Sequence, residues 1–123
     1  MSLPAAATDS STVLSKATVR ASRELGLRQS DLARILGLST ATASRLDSGA
    51  WRLSSGSKAW ELAAAFTRLY RSLSAITGGK SEAMRTWLHS ENDALSAIPA
   101  RRILTAEGLF SVLSYLDAAR GQL

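Results

Sequence analysis

At 123 residues the chain suits one domain, or one small domain with an appendage. Hydrophobic residues make up 46%, enough for a packed core, yet the apolar runs are too short for a membrane span, no basic-plus-apolar leader opens the chain, and the absence of cysteine excludes a disulfide scaffold and thiolate metal sites. Most of the net charge of +5 sits in residues 13–60, where eight basic residues face three acidic ones, so a polyanion partner and a merely solvated basic surface are equally good readings of charge alone.

Residues 1–12 are small and polar and are expected to form a disordered arm. A first helix is expected over residues 13–25, with Leu14, Ala17, Ala21 and Leu25 at helical spacing, Ser10 or Ser11 as its cap and Gly26 as its stop. Residues 29–49 read as two short helices joined at Gly37. Leu32, Ala33 and Leu36 give the first an apolar face, and Ala43 and Leu46 give the second a smaller one. Ser39 can cap the second helix, and Gly49 follows its last periodic residue. Residues 50–57 form a loop. The longest helix is expected over residues 58–77, capped by Ser57 and stopped at Gly78 and Gly79. Leu62, Phe66, Leu69, Leu73 and Ile76 make its stripe, widened by Trp60, Ala63 and Tyr70; internal core and a face for a second copy suit that stripe equally well.

Ser81 begins another helix, through Met84, Trp87 and Leu88 to about His89. Asn92 is expected to cap a short turn holding Ala94 and Leu95. Pro99 suits the first position of a short helix with Ile103 and Leu104, since its missing N–H is harmless there. Thr105 caps a final helix with Leu109, Val112, Leu113 and Leu116 on one face, ending at Gly121. No strand-like alternation persists, so the chain reads as all-α with roughly eight helical segments.

Enzyme chemistry is poorly supplied. There is one histidine, and His89, Glu91 and Asp93 alternate along a helix end as a solvated connection would. Gly78-Gly79-Lys80-Ser81 lacks the first glycine of a phosphate loop and follows a helix rather than a strand. No catalytic residue, metal, cofactor or small-molecule substrate is expected, and a cytoplasmic setting fits.

The stretch Gln29–Gly49 resembles the helix-turn-helix of the phage-repressor, Xre-like family, whose recognition helix enters the major groove with its N-terminal end. Thr40, Ala41, Thr42, Ser44 and Arg45 occupy that end. The resemblance implies base contacts from Thr40, Ala41 and Arg45, with Gln29 braced between phosphate and the recognition helix. Arg45 suits bidentate contact to guanine, and Thr40 and Ala41 suit the thymine methyl. Ser39, Thr42, Ser44 and Arg52 suit phosphate. Arg28 stands where the family often has a Ser or Thr cap.

Trp87-Leu88-His89-Ser90-Glu91-Asn92-Asp93-Ala94-Leu95, then Pro99, Leu104-Thr105-Ala106-Glu107-Gly108 and Tyr115-Leu116-Asp117-Ala118-Ala119-Arg120-Gly121 resemble the C-terminal toxin-binding domain of Xre/MbcA/ParS-type antitoxins. Ser96-Ala97 departs from the family, which commonly has glycines before the proline. The resemblance implies a phage-repressor-like helix-turn-helix bundle over residues 13–79 followed by a small helical toxin-binding domain over residues 80–123. It implies a homodimer on operator DNA, repressing its own operon, and a RES-domain toxin as protein partner. Such toxins are related in fold to ADP-ribosyltransferases and consume NAD. The antitoxin's C-terminal segment covers or enters their active-site cleft. Here that segment is Tyr115, Asp117, Arg120, Gly121, Gln122 and Leu123, with Trp87, Asn92 and Pro99 from the preceding motif. The carboxylates of Asp117 and Leu123 suit a cation-lined cleft, and Arg120 suits a toxin carboxylate; both polarities stay open. The alternative functions are a stand-alone repressor with a C-terminal dimerisation or effector domain, and an interaction adaptor that no longer binds DNA.

Overall fold

The helical spacing of Leu14, Ala17, Ala21 and Leu25 does build a helix, but α1 spans Ala5–Glu24 in the computed structural model, which describes residues 5–122. The expected disordered arm is therefore helical from Ala5 onward; residues 1–4 lie outside the described residues. Two physical reasons account for the earlier start. Ala5, Ala6 and Ala7 have the highest helix propensity of any residue type. The added turns also gain a tertiary partner: the Ser11 hydroxyl donates to the Leu53 carbonyl at 2.6 Å, and Ser15 Oγ accepts from the Leu53 N–H at 3.0 Å. Ser10 and Ser11 consequently lie inside the helix and do not cap it.

α2 (Gln29–Leu36) and α3 (Thr40–Ser48) form the helix-turn-helix. Gly37 turns the chain at φ 68°, a left-handed conformation that is cheap only without a Cβ. The turn is closed by Leu38 N–H donating to the Ala33 carbonyl at 2.8 Å and Gly37 N–H to that of Arg34 at 3.3 Å. Leu32, Ala33, Leu36, Ala43 and Leu46 are all buried, and Ile35 joins them.

α4 (Lys58–Thr77) starts and stops where its serine cap and paired glycines predict, and equals α1 in length. Leu62, Phe66, Leu69 and Leu73 are buried and Ile76 half-buried. The centre of the stripe is internal core, while Trp60 and Tyr70 at its margins are half-buried. α4 packs on α1, α2, α5 (Ser81–His89) and most extensively α7 (Ala106–Arg120). One apolar cluster runs from Val19 through Phe66 and Leu73 to Leu116, so the core does not break between residues 79 and 80. α4 belongs to both halves of the chain.

Between α5 and α6 (Pro99–Arg102) no helix forms. Asn92 does cap a turn, Oδ1 accepting from the Leu95 N–H at 3.1 Å, but Asn92 and Ala97 then exchange two backbone hydrogen bonds of 3.0 and 3.3 Å. That exchange closes the expected turn into a loop; against roughly eight helical segments expected, seven helices and no strand are found among the described residues. Ser96 sits at φ 53°, inside this loop. It is the position where the family's glycine would be unstrained. Ser96→Gly is therefore expected to raise stability by about 1 kcal/mol, the left-handed penalty less glycine's extra chain entropy. Urea unfolding should show a higher midpoint at constant slope; a lower midpoint would remove strain from the account.

Candidate functional site

The N-terminal end of α3 is built by its cap. Ser39 Oγ accepts from the Thr42 N–H at 3.1 Å and donates to Thr42 Oγ1 at 3.0 Å. Both hydroxyls are thus engaged locally, and Thr42 is half-buried. Thr40, Ala41 and Ser44 are exposed near them, Gln29 is exposed at the start of α2, and Arg45, expected at the N-terminal end, is exposed one turn and more further on, in the last turn of α3. These five and Ser39 form one open surface on the two helices. Arg28 has no acceptor to offer α2, so its side chain cannot cap. The cap comes from the other direction: Asp31 Oδ2 accepts from Arg28 N–H at 3.2 Å and from Arg28 Nε at 3.3 Å.

The electrostatics favour an anion at this surface. Each of the three acids within residues 13–60 is engaged inside the chain. Asp31 holds Arg28, Asp47 pairs with Arg23 Nη2 at 3.0 Å, and Glu24 Oε1 accepts from Tyr70 Oη at 2.9 Å and Ser81 Oγ at 3.3 Å. Arg45 forms no ion pair among the described residues. Arg52 is exposed and donates only to Thr12 Oγ1, at 3.2 Å. Burial and the accepting Glu24 carboxylate raise the Tyr70 pKa above its ordinary value, with Arg20 opposing. The Tyr70 phenol is thus the donor in this pair and the Glu24 carboxylate the acceptor.

The same knot ties α1 to α5. Arg85 Nη1 donates to the Glu24 carbonyl at 3.1 Å. His89 Nε2 lies 2.8 Å from the Leu25 carbonyl, which can only accept, so Nε2 carries the proton. His89 is thereby a fastening of the helix junction.

The C-terminal residues divide into an outward and an inward set. Trp87 and Tyr115 stack on the outside of α5 and α7, ring centroids 6.3 Å apart at 18°. Tyr115 is 38% exposed, and Phe110 farther along α7 is 48% exposed. Arg120, Gly121 and Gln122 are exposed at the chain's end, while Leu123 lies outside the described residues. Asn92 and Pro99 face inward: Asn92 shapes the loop and Pro99 is buried at the start of α6. Asp117 also turns inward. Its Oδ1 accepts from Ser72 Oγ at 2.7 Å and its Oδ2 pairs with Arg68 Nη2 at 2.6 Å. Arg120 Nη1 reaches the same Ser72 hydroxyl at 3.4 Å. The carboxylate that charge alone would send outward is thus occupied within the chain, clamping α7 onto α4.

Three residues of this framework escape a reading of the sequence. Ser72 is fully buried beside Leu73 and anchors Asp117; a serine within the core-facing stripe was its only signal. Arg68 carries no local signal, because its partner lies in another helix. Arg102 holds the loop to α7, donating to the Leu95 carbonyl and to Ser111 Oγ, each at 3.1 Å.

Among the described residues no helix is long and apolar enough to cross a membrane. Residues 4–74 match the antitoxin Xre-like helix-turn-helix domain. Residues 72–121 match the antitoxin Xre/MbcA/ParS C-terminal toxin-binding domain. The two matches overlap inside α4, the helix that both halves share. No curated protein matches the chain.

Proposed function

Because the chain belongs to the Xre-like helix-turn-helix antitoxin family and carries that toxin-binding domain, we propose that it is a cytoplasmic antitoxin that neutralises a RES-domain, NAD-consuming toxin and binds its own operator as a homodimer. It acts by binding and not by catalysis. Repression starts from the exposed end of α3. Arg45 reads guanine, Thr40 and Ala41 meet base edges, Gln29, Thr42, Ser44 and Arg52 sit on phosphate, and Ser39 holds the cap that presents them. A dimer doubles these contacts on a palindromic site. The centre of the α4 stripe is consumed inside the protomer, so the second copy packs on the shallow groove where α1 meets α4, beside exposed Val13 and the stripe's half-buried Trp60.

Neutralisation uses the other face. The observation that carries it is the exposed end of α7, where Arg120, Gly121 and Gln122 extend from a helix that also presents Tyr115. The stacked Trp87 and Tyr115 supply a rigid aromatic anchor, the type of contact that dominates interface energies. Arg120 to Leu123 then enter the active-site cleft of the toxin and exclude its substrate. Asp117, Asn92 and Pro99 contribute by holding α7 and the loop in place. Removal of residues 121–123 is expected to restore toxicity on co-expression with the toxin while the two proteins still co-purify. Full protection by the shortened chain would refute occlusion by this segment.

A further inference from the structure

A cleft of about 530 Å³ opens between α1 and the C-terminal end of α3, away from the reading end. Val19 and Leu46 are buried beneath it, and half-buried Trp51 forms a wall. Lys16 and Arg20 stand one turn apart on α1 at its rim, both exposed, and Arg52 also lines it, donating to Thr12 Oγ1 of α1 at 3.2 Å. None of these three cations forms an ion pair among the described residues. The two acids at the cleft are already engaged, Asp47 by Arg23 and Glu24 by Tyr70 and Ser81.

Unpaired cations over an apolar, indole-walled floor call for a ligand that carries both a phosphate and a flat ring. Guanidinium and ammonium groups bind phosphate through charge-assisted hydrogen bonds, and an indole face stacks a base. The size lies within the range of roughly 300–1,000 Å³ typical of small-molecule sites. A duplex presents its phosphates on a convex rod and leaves a concave apolar floor uncovered, so the cleft suits a free ligand better than a stretch of DNA backbone. We propose that this cleft binds a free nucleotide, its phosphate on Lys16 and Arg20 and its base against Trp51. Trp51 and Ala50 both donate their backbone N–H groups to the Arg45 carbonyl, at 3.1 and 2.8 Å. An occupant against Trp51 therefore sits directly beside the C-terminal end of α3.

The test is calorimetric titration of the full chain with each of the four ribonucleoside 5′-monophosphates, with adenosine and inorganic phosphate as partial probes. At least one mononucleotide is expected to bind with Kd on the order of 0.1 mM, and both partial probes at least about tenfold more weakly. The Lys16→Ala/Arg20→Ala chain, its helicity checked by circular dichroism, should lose about tenfold or more in affinity. Quenching of tryptophan emission by the bound nucleotide should diminish in Trp51→Phe. The proposal is overturned if no mononucleotide binds or if the double variant binds undiminished. It is equally overturned if inorganic phosphate binds as tightly as the nucleotide. Loss of operator affinity in the double variant without any nucleotide binding would also overturn it, assigning the rim to DNA phosphate.

Discussion

Gly108→Ala is expected to destabilise the chain by about 3 kcal/mol, the upper end for overpacking a filled site. The reason is a close approach and not backbone freedom. A Cβ at Gly108 would overlap the Arg102 carbonyl oxygen, an atom fixed in the backbone at the end of α6. Relief would require α6 and α7 to part, yet Gly108 is held from the other side by its own N–H, which donates to the Thr105 cap at 3.1 Å. Parting would also strip the cover from Ile103 and Leu109, both fully buried. Thermal unfolding followed by circular dichroism should show the midpoint falling by roughly 10 °C for a domain of this size. A midpoint within about 2 °C of the parent would mean that α6 and α7 do not meet as described. Because α7 carries Tyr115 and Arg120, the variant should also protect poorly against the toxin at temperatures where it is partly unfolded.

Arg45→Ala should lower operator affinity by about 100-fold or more, because the proposed dimer loses two base contacts, each worth roughly 1–3 kcal/mol. The expectation rests on what surrounds Arg45. It is exposed in the last turn of α3, unpaired among the described residues, and its exposed neighbours on the helix are short side chains that carry little discrimination of their own. The loss should be largest on the cognate site and small on unrelated duplexes. Fluorescence anisotropy on both sequences at one salt concentration separates the two, since phosphate contacts would weaken both alike. Arg45→Lys should not restore the preference, because an ammonium cannot reproduce the guanidinium fork. An equal loss on both duplexes would place Arg45 on phosphate.

How much of this was legible in the sequence follows from the range of the interactions involved. The helix-turn-helix was legible because its signals are local. Gly37 turns the chain, Ser39 caps, and Leu32, Ala33, Leu36, Ala43 and Leu46 repeat at helical spacing; the structure buries those five side chains together. The limits of α4 were legible for the same reason. The start of α1 was not, since the helix is completed by contacts to Leu53, about 40 residues away along the chain. The turn after α5 was legible from its capping Asn92, but its closure by the Asn92–Ala97 exchange was not, because nothing at Ala97 signals it. Above all, the division of the C-terminal residues into outward and inward sets was hidden. Asp117 looks like a contact until Ser72 and Arg68, distant in sequence, are placed beside it. A charged residue on an exposed helix gives no local sign of which way it is spoken for.

The most direct test of the whole account is whether its two functions separate, since α4 joins them in one core yet the residues that carry them share no position. Operator binding and toxin neutralisation should be measured side by side for Arg45→Ala and for Trp87→Ala/Tyr115→Ala, each confirmed as folded by circular dichroism. Arg45→Ala should still protect cells from the toxin while losing the operator. Trp87→Ala/Tyr115→Ala should still bind the operator while failing to protect. If either folded variant lost both activities, or neither, the assignment of DNA to α3 and of the toxin to the α5–α7 face would be contradicted.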